Sequence, residues 1–122
     1  MPQIKLEYTE NLQAIKSASD IFNKIHQILF KEAVIAIENC KSRAVIVDDY
    51  FVGTGDNNMA FAHLEIAIFK GRSSELKEKI GKLALAELKK GLACKENKTE
   101  MQFTVEIRDI NKSSYFKTSS KN

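Results

Sequence analysis

The chain has 122 residues, of which 43% are hydrophobic and 29% charged, and a formal net charge of +3. This length suits a single domain, 1–122, with its own core, and the composition excludes a disordered chain. We find no secretory signal and no apolar run near the ~20 residues of a membrane span, and therefore expect a cytoplasmic protein outside the membrane. The mild positive charge suits a small anionic ligand and is too weak to indicate nucleic acid.

The first half of the chain predicts a strand, a helix and a second strand. Ile4, Leu6 and Tyr8 alternate with polar residues, which is the period of a strand with one buried face. Apolar residues then recur at helical spacing and predict a helix over about 12–30, with a stripe of Leu12, Ile15, Ala18, Phe22, Ile25 and Leu29. Residues 43–52 are rich in β-branched and aromatic side chains and predict a second strand. Together these elements form a first β-α-β unit, 2–53.

The second half of the chain repeats this order after the turn cluster 53–58. A strand is predicted over 60–70, and a helix to about residue 92 follows, with Ser73 as its N-cap. Alternating apolar residues from Met101 to Ile107 predict the fourth strand, which completes a second β-α-β unit, 60–110. The Ser- and Lys-rich end, 111–122, reads as a loosely held C-terminal tail.

Two consecutive β-α-β units predict an α/β (α+β) fold: a four-stranded mixed sheet with both helices on one face. We expect apolar residues on the uncovered face, which would need a partner. Ferredoxin-like RNA-binding modules and tautomerases both use such an arrangement. An RNA reader would carry a basic-glycine-aromatic motif on its third strand, and residues 58–64 lack one, so no nucleic-acid partner is expected.

Pro2 is the only proline in the chain and directly precedes the first strand. Aminopeptidases remove an initiating Met when the next side chain is small, which would leave the Pro2 nitrogen as a free amine. An α-amino group titrates near ~7.7 to 8, and an apolar pocket or nearby cations would lower its pKa and leave a neutral base at neutral pH. Pro2 is therefore the candidate catalytic base, the alternative being an ordinary second residue.

Several short segments in a fixed order resemble one known family. They are Met1-Pro2, Lys41-Ser42-Arg43, Ala60-Phe61-Ala62-His63, Gly71-Arg72-Ser73, Phe103 to Ile107, and Phe116-Lys117. The set resembles the 5-carboxymethyl-2-hydroxymuconate delta-isomerase family of the tautomerase superfamily. The resemblance implies a tautomerase-like homotrimer that moves a proton within a carboxylated 2-hydroxymuconate during aromatic compound catabolism, in homoprotocatechuate degradation. It also implies that no cofactor or metal takes part.

Two cations are the candidate substrate-binding residues. Arg72 precedes a predicted helix N-terminus, a place favourable to anions, and its planar guanidinium matches a carboxylate; a solvated turn residue is the alternative. Lys41 takes the place of the family's usual arginine, which keeps the charge but loses bidentate geometry. Arg43 matches the family's second arginine, and its role stays open. Other tautomerase reactions, on a phenylpyruvate-like acid or as a hydratase or dehalogenase, and a non-catalytic protein of the same fold remain alternatives.

The remaining polar candidates are interpreted as structural. His63 is expected to be a packed, hydrogen-bonded strand residue, and His26 to be partly exposed. Asp48 and Asp49 are neighbours on the predicted strand, so they would point to opposite faces and could not share one task.

Overall fold

The computed structural model describes residues 1–56 and 58–121. Its strands and helices follow the chain in the order β1 (Gln3–Thr9), β2 (Leu12–Ala14), α1 (Ala18–Ala33), β3 (Lys41–Val47), β4 (Met59–Phe69), α2 (Ser74–Gly91), β5 (Leu92–Cys94) and β6 (Glu100–Ile110). Two short 3-10 turns, Ile37–Asn39 and Lys112–Ser114, lie outside these elements.

The main sheet has four strands in the order β3-β1-β4-β6. β1 is parallel to β3 and antiparallel to β4, and β4 is parallel to β6. This confirms the predicted pair of β-α-β units and the mixed sheet. The order also leaves β3 and β6 as the edge strands of the sheet over the described residues.

The core fills the space between one face of the sheet and both helices. Ile4 and Leu6 on β1 are fully buried and pair in register with Ile66 and Leu64 on β4. The helices close this face with the buried side chains Ile21, Ile25 and Leu29 of α1 and Ile80, Ala84 and Leu88 of α2. The expected placement of both helices on one face is therefore confirmed. Over residues 1–56 and 58–121, no helix combines the length and apolarity that crossing a membrane would require.

The predicted start of the first helix at residue 12 is wrong. Leu12–Ala14 form β2, which pairs antiparallel with β5 and buries Leu12. The helix begins at Ala18, where the Ser17 hydroxyl accepts a hydrogen bond from the Asp20 N–H at 3.2 Å. Ile15, expected on the apolar stripe, is 60% exposed. Residues 12–14 obtain their backbone hydrogen bonds from a segment far downstream, and helical spacing alone cannot reveal that pairing.

The predicted second strand, 43–52, is displaced along the chain. β3 runs from Lys41 to Val47 because β1, its only partner over the described residues, begins and ends opposite these positions. Asp48 and Asp49 therefore lie beyond the end of β3. The alternation of side chains along a strand does not determine where these two residues point.

The uncovered face of the sheet carries charged side chains and also apolar ones such as Val45, which is 46% exposed. Arg108 lies 3.4 Å from a Glu65 carboxylate oxygen and 3.3 Å from one of Glu106. His63 lies 3.6 Å from Glu106 on the same face. The edge strand β3 also exposes Ile46, which is 59% exposed.

Two helix glycines allow a matched test of the packing between α1 and α2. A Cβ on Gly91 would lie 2.5 Å from Cγ1 of Ile21, a core side chain that cannot swing into solvent. A Cβ on Gly81 would meet nothing closer than 3.8 Å. We expect Gly91→Ala to lower the free energy of unfolding by about 1–3 kcal/mol through overpacking. Gly81→Ala should raise it by about 0.5–1 kcal/mol through helix propensity. Equal effects of both substitutions in urea denaturation would contradict this packing.

Candidate active site

One end of the main sheet gathers the candidate site residues. β1 and β3 begin at this end, while β4 and β6 end there, because Gln3 pairs with both Lys41 and Ala67. Phe69 pairs with Ile110, so the segment after β6 also starts at the same end. The sequence-predicted residues Pro2, Lys41 and Arg72 therefore lie around one end of the sheet.

Pro2 is buried at the start of β1. Its carbonyl oxygen accepts a hydrogen bond from the backbone N–H of Lys41 at 3.2 Å. This bond extends the parallel ladder by one residue and fixes Pro2 beside the first residue of β3. The Lys41 side chain is exposed, and its ammonium donates to the Asn39 carbonyl at 3.3 Å.

Arg72 lies in the turn between β4 and α2. Gly71 has φ of 128°, a conformation that side-chain-bearing residues rarely adopt, and it turns the chain at the end of β4. The Arg72 guanidinium donates one hydrogen bond to the Phe69 carbonyl at 3.2 Å. The side chain is half-buried, and no carboxylate of the described residues lies within salt-bridge distance of it. Its other N–H groups are available to an anion.

Burial and three cations act on the amino terminus. Burial of the Met1 α-amino group is the largest cause that lowers its pKa below the ordinary value, followed by the positive charges of Arg72, Lys41 and Lys117. Removing an amine from water and surrounding it with cations both disfavour its charged form. This end of the sheet is thus suited to hold an amine neutral and an anion bound.

An open cleft of about 530 Å³ lies between α1 and β3, beside Lys41. His26 lines it, with its Nε2 at 2.7 Å from the Ser42 hydroxyl, and burial lowers the pKa of this histidine. Pro2 and Arg72 do not line the cleft. In the single chain, therefore, the cleft and the cationic end of the sheet are neighbouring features that meet at Cys40 and Lys41.

Arg43 has a structural role in the single chain. Its guanidinium donates to the side-chain oxygen of Gln3, and the Gln3 amide nitrogen donates to the Tyr115 hydroxyl at 3.0 Å. Arg43 thus fixes the side chain that follows Pro2. His63 is hydrogen-bonded to Thr104 at 2.6 Å, the kind of environment expected of a structural strand histidine.

Sequence reasoning did not anticipate the contacts that Tyr115 and Lys117 make at this end of the sheet. The Tyr115 ring packs edge-on against Phe69, with ring centroids 5.4 Å apart. Lys117 follows and places its ammonium 3.9 Å from the Met1 sulfur. The only signal in the sequence was the Phe116-Lys117 pair, because a Ser- and Lys-rich composition otherwise indicates a solvated tail.

Comparison with known proteins identifies the family. The sequence profile of 5-carboxymethyl-2-hydroxymuconate isomerase matches residues 2–121. The chain is 22% identical over 117 residues to the 5-carboxymethyl-2-hydroxymuconate Delta-isomerase of Escherichia coli, covering 96% of this chain and 93% of that protein.

Solved structures agree on the fold. A 5-carboxymethyl-2-hydroxymuconate isomerase from Deinococcus radiodurans R1 superposes with a TM-score of 0.78 at 22% identity, covering 98% of this chain and 90% of that one. A fused 4-OT symmetric trimer superposes with a TM-score of 0.69 at 14% identity, covering 91% of this chain and 87% of that one. The sheet order, the helices on one face and the match over nearly the whole sequence lead to one conclusion: the chain belongs to the 5-carboxymethyl-2-hydroxymuconate isomerase family, with a tautomerase-like fold.

Proposed function

We propose that this protein isomerises a carboxylated 2-hydroxymuconate, as in 5-carboxymethyl-2-hydroxymuconate isomerisation, with the amine of Pro2 as the base once Met1 is removed. The observation that carries the proposal is that the amino terminus lies near Arg72 and Lys41, where burial first and then these two positive charges lower the pKa of the Met1 amine. The family match supports the reaction class.

The reaction needs one group that takes a proton and returns it. The neutral Pro2 amine removes the proton from the substrate's enol oxygen, and the electrons spread over the conjugated dienolate. The resulting ammonium then delivers the same proton to a carbon farther along the conjugated chain of the substrate. Atoms and charge balance within one substrate molecule, so no cofactor or co-reactant enters the proposed step.

The two cations bind the carboxylates of the substrate. Arg72 has a side chain that is half-buried and already oriented by Phe69, so it can bind a carboxylate next to the reacting atoms with little reorganisation. Lys41 offers a single exposed ammonium, which attracts a carboxylate but fixes its orientation less well than an arginine would.

A homotrimer is part of the proposal. The cationic end of the sheet is open in the single chain, and the edge strand β3 exposes apolar side chains beside unpaired backbone. One solved structure of this fold is described as a symmetric trimer. A neighbouring copy would cover β3 and enclose the site.

We first predict that Arg72→Ala raises the pKa of the terminal amine of the processed protein, because it removes a positive charge that disfavours protonation. More of the amine is then protonated at pH 7, so the rising limb of kcat/KM should move to higher pH. The loss of transition-state stabilisation should be about 2–4 kcal/mol. The amine is titrated by NMR, and kcat/KM is measured across the same pH range.

Lys98→Ala is the control for Arg72→Ala, since it removes one exposed positive charge before β6, at the opposite end of the sheet. It should leave the titration and the rate unchanged. If Arg72→Ala leaves both in place as well, Arg72 is only a turn residue.

The second prediction concerns the amine itself. A protein with a cleavable extension before Pro2 should fold normally but isomerise substrate about 100-fold more slowly or worse, because its Pro2 nitrogen is an amide without basicity. Proteolytic removal of the extension should restore the rate in the same sample. Pro2→Ala should lose less activity than the extension, since a primary amine is still a base. Full activity of the extended protein would rule out the proline mechanism.

The third prediction is the assembly. Sedimentation equilibrium at micromolar concentration should give three times the 13.8 kDa of one chain. Ile46→Lys should dissociate the trimer, because it places a charge on the apolar edge of β3. Ile15→Lys is the matched control, since Ile15 is 60% and Ile46 59% exposed. A monomeric wild type, or equal dissociation by both substitutions, would contradict the proposed interface.

A further inference from the structure

Residues 111–117, here called the C-terminal strap, fold back across the end of the sheet that holds Pro2. The Lys70 N–H donates to the Ile110 carbonyl at 2.9 Å, which keeps the start of the strap beside the end of β4. The Asn111 side chain then accepts a hydrogen bond from the Ser113 N–H at 3.2 Å and turns the chain through Lys112–Ser114. The chain direction after β6 is therefore fixed.

Two side chains of the strap contact the ring of Phe69, the last residue of β4. The Tyr115 ring meets it edge-on at 5.4 Å, and the Lys112 ammonium lies 5.2 Å from its centroid. Both are recognised attractive arrangements of an aromatic ring. The Phe69 carbonyl also accepts the hydrogen bond from Arg72, so both the strap and Arg72 contact Phe69.

A hydrogen bond also ties the strap directly to β1. The Tyr115 hydroxyl accepts from the amide nitrogen of Gln3 at 3.0 Å, and Gln3 is the residue after Pro2. The other end of the Gln3 side chain is held by Arg43. The position of Tyr115 relative to the Pro2 nitrogen is thus set by side chains on β1 and β3.

Lys117, two residues beyond this anchor, places its ammonium 3.9 Å from the Met1 sulfur. Met1 directly precedes Pro2, so Lys117 lies beside the residue whose removal would free the Pro2 nitrogen. Lys117 is exposed, and no carboxylate of the described residues lies within salt-bridge distance of its ammonium. It is the third cation at this site, on the side of the strap, while Lys41 and Arg72 belong to β3 and to the turn after β4.

From this geometry we propose that Lys117 binds a third carboxylate of the substrate and makes the protein selective for a tricarboxylated over a dicarboxylated hydroxymuconate. Tyr115 is the positioning residue that holds the strap in place. The inference rests on the proposed function, in which Arg72 and Lys41 bind the other two carboxylates. A lysine acts as a point charge, which suits attraction of a flexible carboxymethyl arm that needs no bidentate alignment.

The test compares kcat and KM of wild type and Lys117→Met on 5-carboxymethyl-2-hydroxymuconate, which has three carboxylates, and on 2-hydroxymuconate, which has two. Lys117→Met should lower kcat/KM on the tricarboxylate by about three- to tenfold, mainly through KM, the range for one exposed charge contact. The dicarboxylate should be turned over within about twofold of wild type. Lys117→Arg keeps the positive charge and should therefore retain the wild-type preference for the tricarboxylate. Lys98→Met removes a charge at the far end of the sheet and should leave kcat/KM unchanged on both substrates.

Two further measurements separate charge from general damage. Tyr115→Ala should reproduce the tricarboxylate-specific KM increase, and the double variant with Lys117→Met should lose no more than either single one, because both remove the same contact. The ratio of kcat/KM on the tricarboxylate to that on the dicarboxylate should also fall as the salt concentration is raised, since salt screens an exposed pair of lysine and carboxylate.

The outcomes are distinguishable. Equal losses on both substrates, or no loss on the tricarboxylate, in an active enzyme overturn the role of Lys117 and leave the proposed function standing. A processed wild type that isomerises neither substrate overturns the proposed function, and the inference falls with it.

Discussion

The parallel pairing of β1 with β3 is the constraint on which the site depends. The first bond of that ladder joins the Pro2 carbonyl to the Lys41 N–H at 3.2 Å, so the amino terminus is held by the backbone of the sheet. The antiparallel pairing of β1 with β4 then brings the end of β4, and with it Arg72, to the same place. A shift of one residue in either ladder would turn the buried Ile4 and Leu6 to the charged face, so the core that stabilises the fold also fixes the register of the site.

The cations at the amino terminus have two physical effects that act in sequence. In the free chain, burial and then these cations lower the pKa of the Met1 amine, and under the proposed function they would favour the neutral form of the Pro2 amine in the same way. Carboxylates bound to Arg72 and Lys41 would offset those charges, and the pKa of the amine would rise as the substrate arrives. An amine that is deprotonated before binding and more basic after it is a better acceptor of the substrate's proton. Under the proposed function, the same cations would therefore serve both substrate binding and proton transfer.

Much of the fold could be predicted from local patterns. The alternation of Ile4, Leu6 and Tyr8 and the Ser73 N-cap depend on near neighbours in the sequence, and the structure confirms them. The errors have a common origin in long-range contacts. Leu12 has helical spacing, yet it lies in a strand because it pairs with β5. The strap was missed because the partners of Tyr115 are Gln3 and Phe69, which no local pattern connects to a Ser- and Lys-rich end.

The three cations differ in how firmly the fold holds them, and this difference favours different roles. Arg72 is half-buried, bonded to Phe69 and placed by a turn that Gly71 makes possible, so it can orient the group next to the reacting atoms. Lys41 starts from a fixed strand but extends an exposed, flexible side chain. Lys117 depends on the strap, which beyond its start at the end of β6 is held against β1 and β4 by side-chain contacts. Under the proposed function, changes in the strap would therefore alter which carboxylates are bound without disturbing the backbone that holds Pro2.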